Sequence, residues 1–63
     1  MNQAPSSTLQ LTLKRRIWRL TLDGAFYGDY RTRSHASESA EAAAIALRRQ
    51  GRVVTIVAPE LAQ

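Results

Sequence analysis

One alanine-rich run, Ser37 to Gly51, limits what this chain can fold into more than any other stretch. Alanine is the best helix former, and Ala40 to Leu47 holds no glycine, no proline and a single β-branched residue, Ile45. Ser34 or Ser37 is placed to cap the N-terminus by accepting a first-turn N–H. Glu38 and Glu41 near the start, and Arg48 and Arg49 near the end, suit the helix dipole. Gly51 supplies a left-handed stop. At about 100° per residue, Ala36, Ala40, Ala43, Ala44 and Leu47 share one face. Side chains that small let a helix lie close on a flat sheet, so the run predicts a sheet as much as a helix. Ile45 points the other way, among Glu38, Glu41, Arg48 and Arg49, and stands out as a candidate contact.

The sheet is written in alternation. Leu9, Leu11 and Leu13 repeat at the strand period, with Gln10 and Thr12 between them. Lys14, Arg15 and Arg16 interrupt, and the apolar phase then moves to Trp18, Leu20 and Leu22. Such a shift marks a bulge, a bend or a break. Because Lys-Arg-Arg is poor turn material, one long bent strand is expected, with two short strands as the alternative. Asp23-Gly24 is a strong hairpin signal. A three-residue loop, Asp23 to Ala25, would set Leu22 opposite Phe26, Leu20 opposite Gly28 and Trp18 opposite Tyr30. That register places Trp18, Leu20, Leu22, Phe26 and Tyr30 on one face, with Arg19, Thr21, Tyr27, Asp29 and Arg31 on the other. Arg52 to Ala58 is β-branched, ends at Pro59 and reads as a closing strand that is apolar on both sides. Either the Leu9, Leu11, Leu13 segment or another molecule is expected to cover its second side.

The expected fold class is therefore α+β: a ββαβ domain over residues 9–58, with a three-stranded antiparallel sheet in the order 2-1-3 and one helix on one face. Residues 1–8 are expected to be a disordered tail, and residues 59–63 a C-terminal one. A chain of 63 residues makes one small domain that buries only about 60% of its unfolded surface. It has no cysteine, so neither disulfides nor a thiolate metal site can support it. No apolar run approaches a membrane span, and the N-terminus lacks the regions of a signal peptide, so a cytoplasmic protein is expected. A partner or a second copy would help such a domain, and the free edge of the closing strand offers a place for one.

Catalysis is not expected. His35 is the only histidine, the acids form no dyad, Ser34, Ser37 and Ser39 have no base near them, and Gly24 and Gly28 form no phosphate loop. Neither a cofactor nor a metal ligand set is in view. Binding remains. Eight arginines and one lysine against five acids give a net charge of +4, which suits phosphates or an acidic surface. The cations form three groups: Lys14, Arg15 and Arg16 with Arg19; Arg31 with Arg33; Arg48 and Arg49 with Arg52. Arg19 and Arg31 beside Tyr27 on one sheet face is an arrangement that nucleic acid could use, although pairing of arginine with Asp29 accounts for it equally well.

Two resemblances attach to these segments. Trp18 to Gly24, with Tyr30 to Thr32 and the alanine-rich helix, resembles the sheet-plus-helix DNA-binding domains of AP2 and integrase-arm type, over the hairpin and helix only, since those domains run β-β-β-α. The plan of Ile17–Leu22, Asp23-Gly24, Phe26–Arg31, Ser37–Gln50 and Arg52–Val57 resembles some small phage-encoded anti-CRISPR inhibitors over about two-thirds of the chain. That likeness is of plan and size, carries over no functional residue, and departs from the acidic character of many such inhibitors. It implies a non-enzymatic protein that occludes or locks a nucleic-acid-handling complex. Three functions are thus expected, in order: an inhibitor docking on a protein or ribonucleoprotein complex, a direct DNA or RNA binder, and a structural homo-oligomer such as a homodimer. The candidate contacts are Arg15, Arg16, Arg19, Tyr27, Arg31, Arg33, Ile45, Arg48 and Arg49.

Overall fold

The computed structural model describes residues 5–59. Strands β1 (Ser6–Lys14), β2 (Ile17–Leu22) and β3 (Ala25–Tyr30) precede helix α1 (Arg33–Arg49), and β4 (Val53–Val57) closes the chain. They form one four-stranded sheet in the order β3-β2-β1-β4, with α1 packed on one face. The α+β class and the single helix on a sheet are as expected; the three-stranded, wholly antiparallel sheet is not.

The difference begins at Arg15 and Arg16. Both sit at positive φ, 54° and 66°, which is the backbone of a two-residue type I′ hairpin turn. The chain therefore reverses where a bent strand was expected, and β1 pairs antiparallel with β2, Lys14 opposite Ile17 and Leu13 opposite Trp18. A two-residue turn always sets odd positions against even ones. The phase shift from Leu9, Leu11 and Leu13 to Trp18, Leu20 and Leu22 is therefore the imprint of this turn, and all six residues lie on the helix side of the sheet. The leucines of β1 do not cover the second side of the closing strand.

Because β1 takes the place beside β2, the closing strand lies one position further out. β4 pairs with Ser6 to Gln10, in parallel. Its direction follows from the helix: β3 runs away from the Asp23 turn, α1 brings the chain back, and β4 runs out again. The supposed tail is part of this arrangement. Ser6, Ser7 and Thr8 belong to β1, and the Val53 N–H donates to the Pro5 carbonyl at 2.9 Å. The remainder of that tail, residues 1–4, and residues 60–63 of the C-terminal one lie outside the described residues.

The second hairpin also departs from expectation. Asp23 and Gly24 form another two-residue turn, at φ 52° and 87°, so Leu22 faces Ala25 and Thr21 faces Phe26. A bulge then takes up Tyr27 and restores the expected pairs, Leu20 with Gly28 and Trp18 with Tyr30. Phe26 is thereby turned out of the core and is 64% exposed. A Cβ at Gly28 would come within 2.6 Å of the Tyr30 hydroxyl, so a larger residue there requires the Tyr30 side chain to move.

The core is Leu9, Leu11, Trp18, Leu20 and Val54 under Ala36, Ala40, Ala43 and Ala44, with Leu22, Tyr30, Leu47 and Ile56 at its margin. The alanine face predicted from spacing is the buried one. The helix starts earlier than Ser34 or Ser37, because Thr32 caps it: its Oγ1 accepts the His35 N–H at 3.1 Å. Glu38 and Glu41 thus lie beyond the first turn, which contains no acid and opens with Arg33. At the other end Gly51, at φ 87°, ends the helix as expected. The Gly51 N–H donates to the Arg48 carbonyl and the Arg52 N–H to the Leu47 carbonyl, completing a Schellman motif. Ser7, the one buried polar residue among those described, is satisfied by Arg52, whose Nη1 donates to its Oγ at 2.8 Å.

Candidate binding face

One face of the sheet carries α1 and the other is bare. On the bare face the strand registers line residues up in rows. Phe26, Thr21, Gln10 and Val57 form one row; Asp29, Arg19 and Thr12 form the next; Ile17 and Lys14 form the last before the Arg15-Arg16 turn. Thr8, Gln10 and Thr12 of β1 run down the middle as a polar, uncharged strip, while Phe26 on β3 and Val53 and Val57 on β4 expose apolar surface at the two margins.

Arg19 is the fixed point of this face. Its Nε donates to Asp29 Oδ1 at 3.0 Å and its Nη2 to Oδ2 at 3.3 Å, a bidentate pair. Its guanidinium carbon also stands 5.4 Å from the centre of the Phe26 ring, within cation–π range. The bond to Asp29, and then its charge, push the Arg19 pKa further up. Sequence reasoning missed Phe26 as a surface residue, because the bulge at Tyr27 reverses the face on which it lies. Tyr27 itself is 47% exposed.

The other expected contacts separate into two groups. Lys14, Arg15 and Arg16 sit at the first turn, and Arg31 and Arg33 follow Tyr30, whose partner Trp18 is one residue from that turn. These cations therefore gather at one end of the sheet. Among the described residues none of them forms an ion pair; the one salt bridge is Arg19–Asp29. The second group lies at the far end of α1. Arg48 Nη2 donates to the Val54 carbonyl at 3.4 Å and Arg52 holds Ser7, so that group is partly committed to the fold. Ile45, 49% exposed, stands on the outer face of the helix and belongs to neither.

Between the basic end and the middle of the bare face lies a recess of about 330 Å³, lined by Thr12, Lys14, Arg15, Ile17, Arg19 and Asp29. Among the described residues no set of His, Cys, Asp and Glu is grouped to hold a metal ion, and no helix is long and apolar enough to cross a membrane. Comparison with family models, curated proteins and solved structures gives no match.

Proposed function

We propose that this is a non-catalytic nucleic-acid-binding protein that holds the phosphate backbone at the basic end of its sheet. The observation that supports this most is the placing of Arg15 and Arg16. A left-handed backbone costs a non-glycine residue roughly 1–2 kcal/mol, and a type I′ turn is best made from Asn-Gly or Asp-Gly. The chain uses Asp-Gly at its other turn but puts two arginines here. Arg33 is a third cation in an unfavourable place, at the positive end of the α1 dipole. Cations that cost stability, have no carboxylate partner among the described residues and share one end of the molecule make sense as contacts for an external polyanion. Arginine suits phosphate because its fork of donors can grip two oxygens at once. The bare face adds threonine hydroxyls and Phe26, while the cations supply the backbone contacts that fix position on a strand.

The test is fluorescence anisotropy with labelled oligonucleotides of arbitrary sequence. Binding should weaken steeply with salt, the slope of log affinity against log salt being about −0.7 for each phosphate contacted on a single strand. No binding at low salt sinks the proposal.

A second reading has its own support. Leu13, 45% exposed, and Ile17, 37% exposed, flank the arginine turn on opposite faces. Exposed apolar residues beside arginines match the composition of an interface core, and would suit an inhibitor that docks on a nucleic-acid-handling protein complex, as the anti-CRISPR-like plan implies. On that reading Leu13→Ser abolishes capture of the partner complex, whereas on the nucleic-acid reading, in which affinity comes from phosphate contacts, it leaves oligonucleotide affinity within about twofold. A homo-oligomer would give a mass above that of the 7.0 kDa chain in light scattering.

A further inference from the structure

The recess on the bare face holds one acceptor among donors. Lys14, Arg15 and Arg19 bring positive charge to it, Thr12 a hydroxyl and Ile17 an apolar wall, and Asp29 is its one carboxylate. The cations are suited to a phosphodiester. Asp29 is not: a bare carboxylate beside a phosphate repels it, unless something on the ligand donates a hydrogen bond to the carboxylate.

Asp29 has capacity to accept one. A carboxylate offers about four lone-pair positions, and among the described residues the only side-chain bonds to Asp29 are the two from Arg19. The Asp29 side chain is still 40% exposed, so a ligand can reach it. Those same two bonds hold the carboxylate in place beside the Arg19 guanidinium, which keeps further N–H groups for a phosphate. Cation and acceptor are thus fixed side by side, at a spacing that a phosphate and a hydroxyl of the same nucleotide can match. In a nucleic-acid backbone the hydroxyl that distinguishes one polymer from the other is the ribose 2′-OH, both donor and acceptor.

We infer that the recess takes one ribonucleotide of a single-stranded RNA, its phosphate against Lys14, Arg15 and Arg19 and its 2′-hydroxyl donating to Asp29. The protein prefers RNA to DNA for this reason. The inference rests on the nucleic-acid reading above and narrows it: Arg15, Arg16, Arg31 and Arg33 hold either polymer, and Asp29 chooses between them.

The test compares three labelled single strands of one sequence, RNA, DNA and fully 2′-O-methylated RNA, by anisotropy at one low salt concentration. One hydrogen bond to a carboxylate corresponds to about tenfold or more in affinity. RNA is expected to bind tighter than DNA by that factor, and 2′-O-methyl RNA, which has lost the donor, should bind like DNA. In Asp29→Ala, exposed and away from the core, the gap between RNA and DNA should close, since the change removes both the acceptor for the 2′-hydroxyl and the charge that repels a DNA phosphate; a gap that persists overturns the inference. Equal binding of RNA and DNA by the unaltered protein overturns the inference and leaves the nucleic-acid reading standing. A preference that survives 2′-O-methylation also overturns it. Failure to bind any of the three removes both.

Discussion

The two hairpin turns share a backbone and differ in almost everything else. Asp23-Gly24 serves the fold. Gly24 takes its positive φ without cost, the Asp23 N–H donates to the Thr8 carbonyl at 2.9 Å, and the Asp23 carboxylate accepts the Thr8 N–H at 2.8 Å. That turn thus fastens the start of β1. Arg15-Arg16 has the same handedness and none of these bonds among the described residues, and its side chains project into solvent. Where two solutions to one geometric problem coexist in a short chain, the worse one for folding points to another demand on those positions. On the proposed reading, stability is placed at one end of the molecule and contact chemistry at the other.

Exchanging the turns puts that division to the test. Placing arginines at the folding end, Asp23→Arg with Gly24→Arg, removes the bonds to Thr8 and strains the backbone, and should cost about 2–4 kcal/mol. For a domain this small that is a large part of the total. Denaturant titration measures it, and a loss below about 1 kcal/mol would make the two turns equivalent. The reverse exchange, Arg15→Asn with Arg16→Gly, should stabilise by about 1–2 kcal/mol and raise Tm by roughly 4–8 °C for each kcal/mol. Oligonucleotide affinity should fall at least about tenfold, since two phosphate contacts are lost. If stability and affinity both fall, the arginines belong to the fold and the contrast disappears.

Smaller changes refine it. Gly28→Ala pushes against Tyr30 and should cost about 1 kcal/mol, because the obstacle is a side chain that can swing outward and not backbone. A cost above about 3 kcal/mol in thermal melts would mean that the bulged hairpin is more rigid than its exposure suggests. The smallest effect is expected at Arg33. Arg33→Glu suits the helix dipole and should add about 0.3–1 kcal/mol, while weakening oligonucleotide binding severalfold at low salt. Unchanged binding would remove Arg33 from the contact surface.

These residues also show what the sequence could and could not disclose. The alanine face, the Gly51 stop and the β-branched closing strand are local facts of spacing and propensity, and they hold in three dimensions. The phase shift around Lys14 to Arg16 was legible too, but its cause was not, because arginine is a rare occupant of a left-handed turn. That one turn decides the strand count and the position of β4. Ser6-Ser7-Thr8 gives no strand signal, since the buried position in it is a serine, acceptable only because Arg52, 45 residues further on, supplies its hydrogen bond. Phe26 was placed on the wrong face because the bulge at Tyr27 has no local signature. Apart from Tyr27 and Ile45, the candidate contacts rest on charge alone. Their division between a free end and a committed one depends on which strands are neighbours.

The parallel pairing of β1 with β4 has a consequence in time. The contacts of the two hairpins are local, and such contacts form early at little entropic cost. β4 cannot dock until nearly the whole chain is available, since Val53 meets Ser6 and Ile56 meets Leu9. Closing a loop that long is slow relative to a hairpin, so the meander of β1, β2 and β3 stands for a while with the outer edge of β1 open. The same order runs backwards in the folded protein. β4 and the end of α1 should be the first to open, exchanging their amide hydrogens at a lower free energy than β2. In that moment the Ser7 hydroxyl loses Arg52 and the inner edge of the sheet lies bare, while the arginine turn, held within its own hairpin, stays formed.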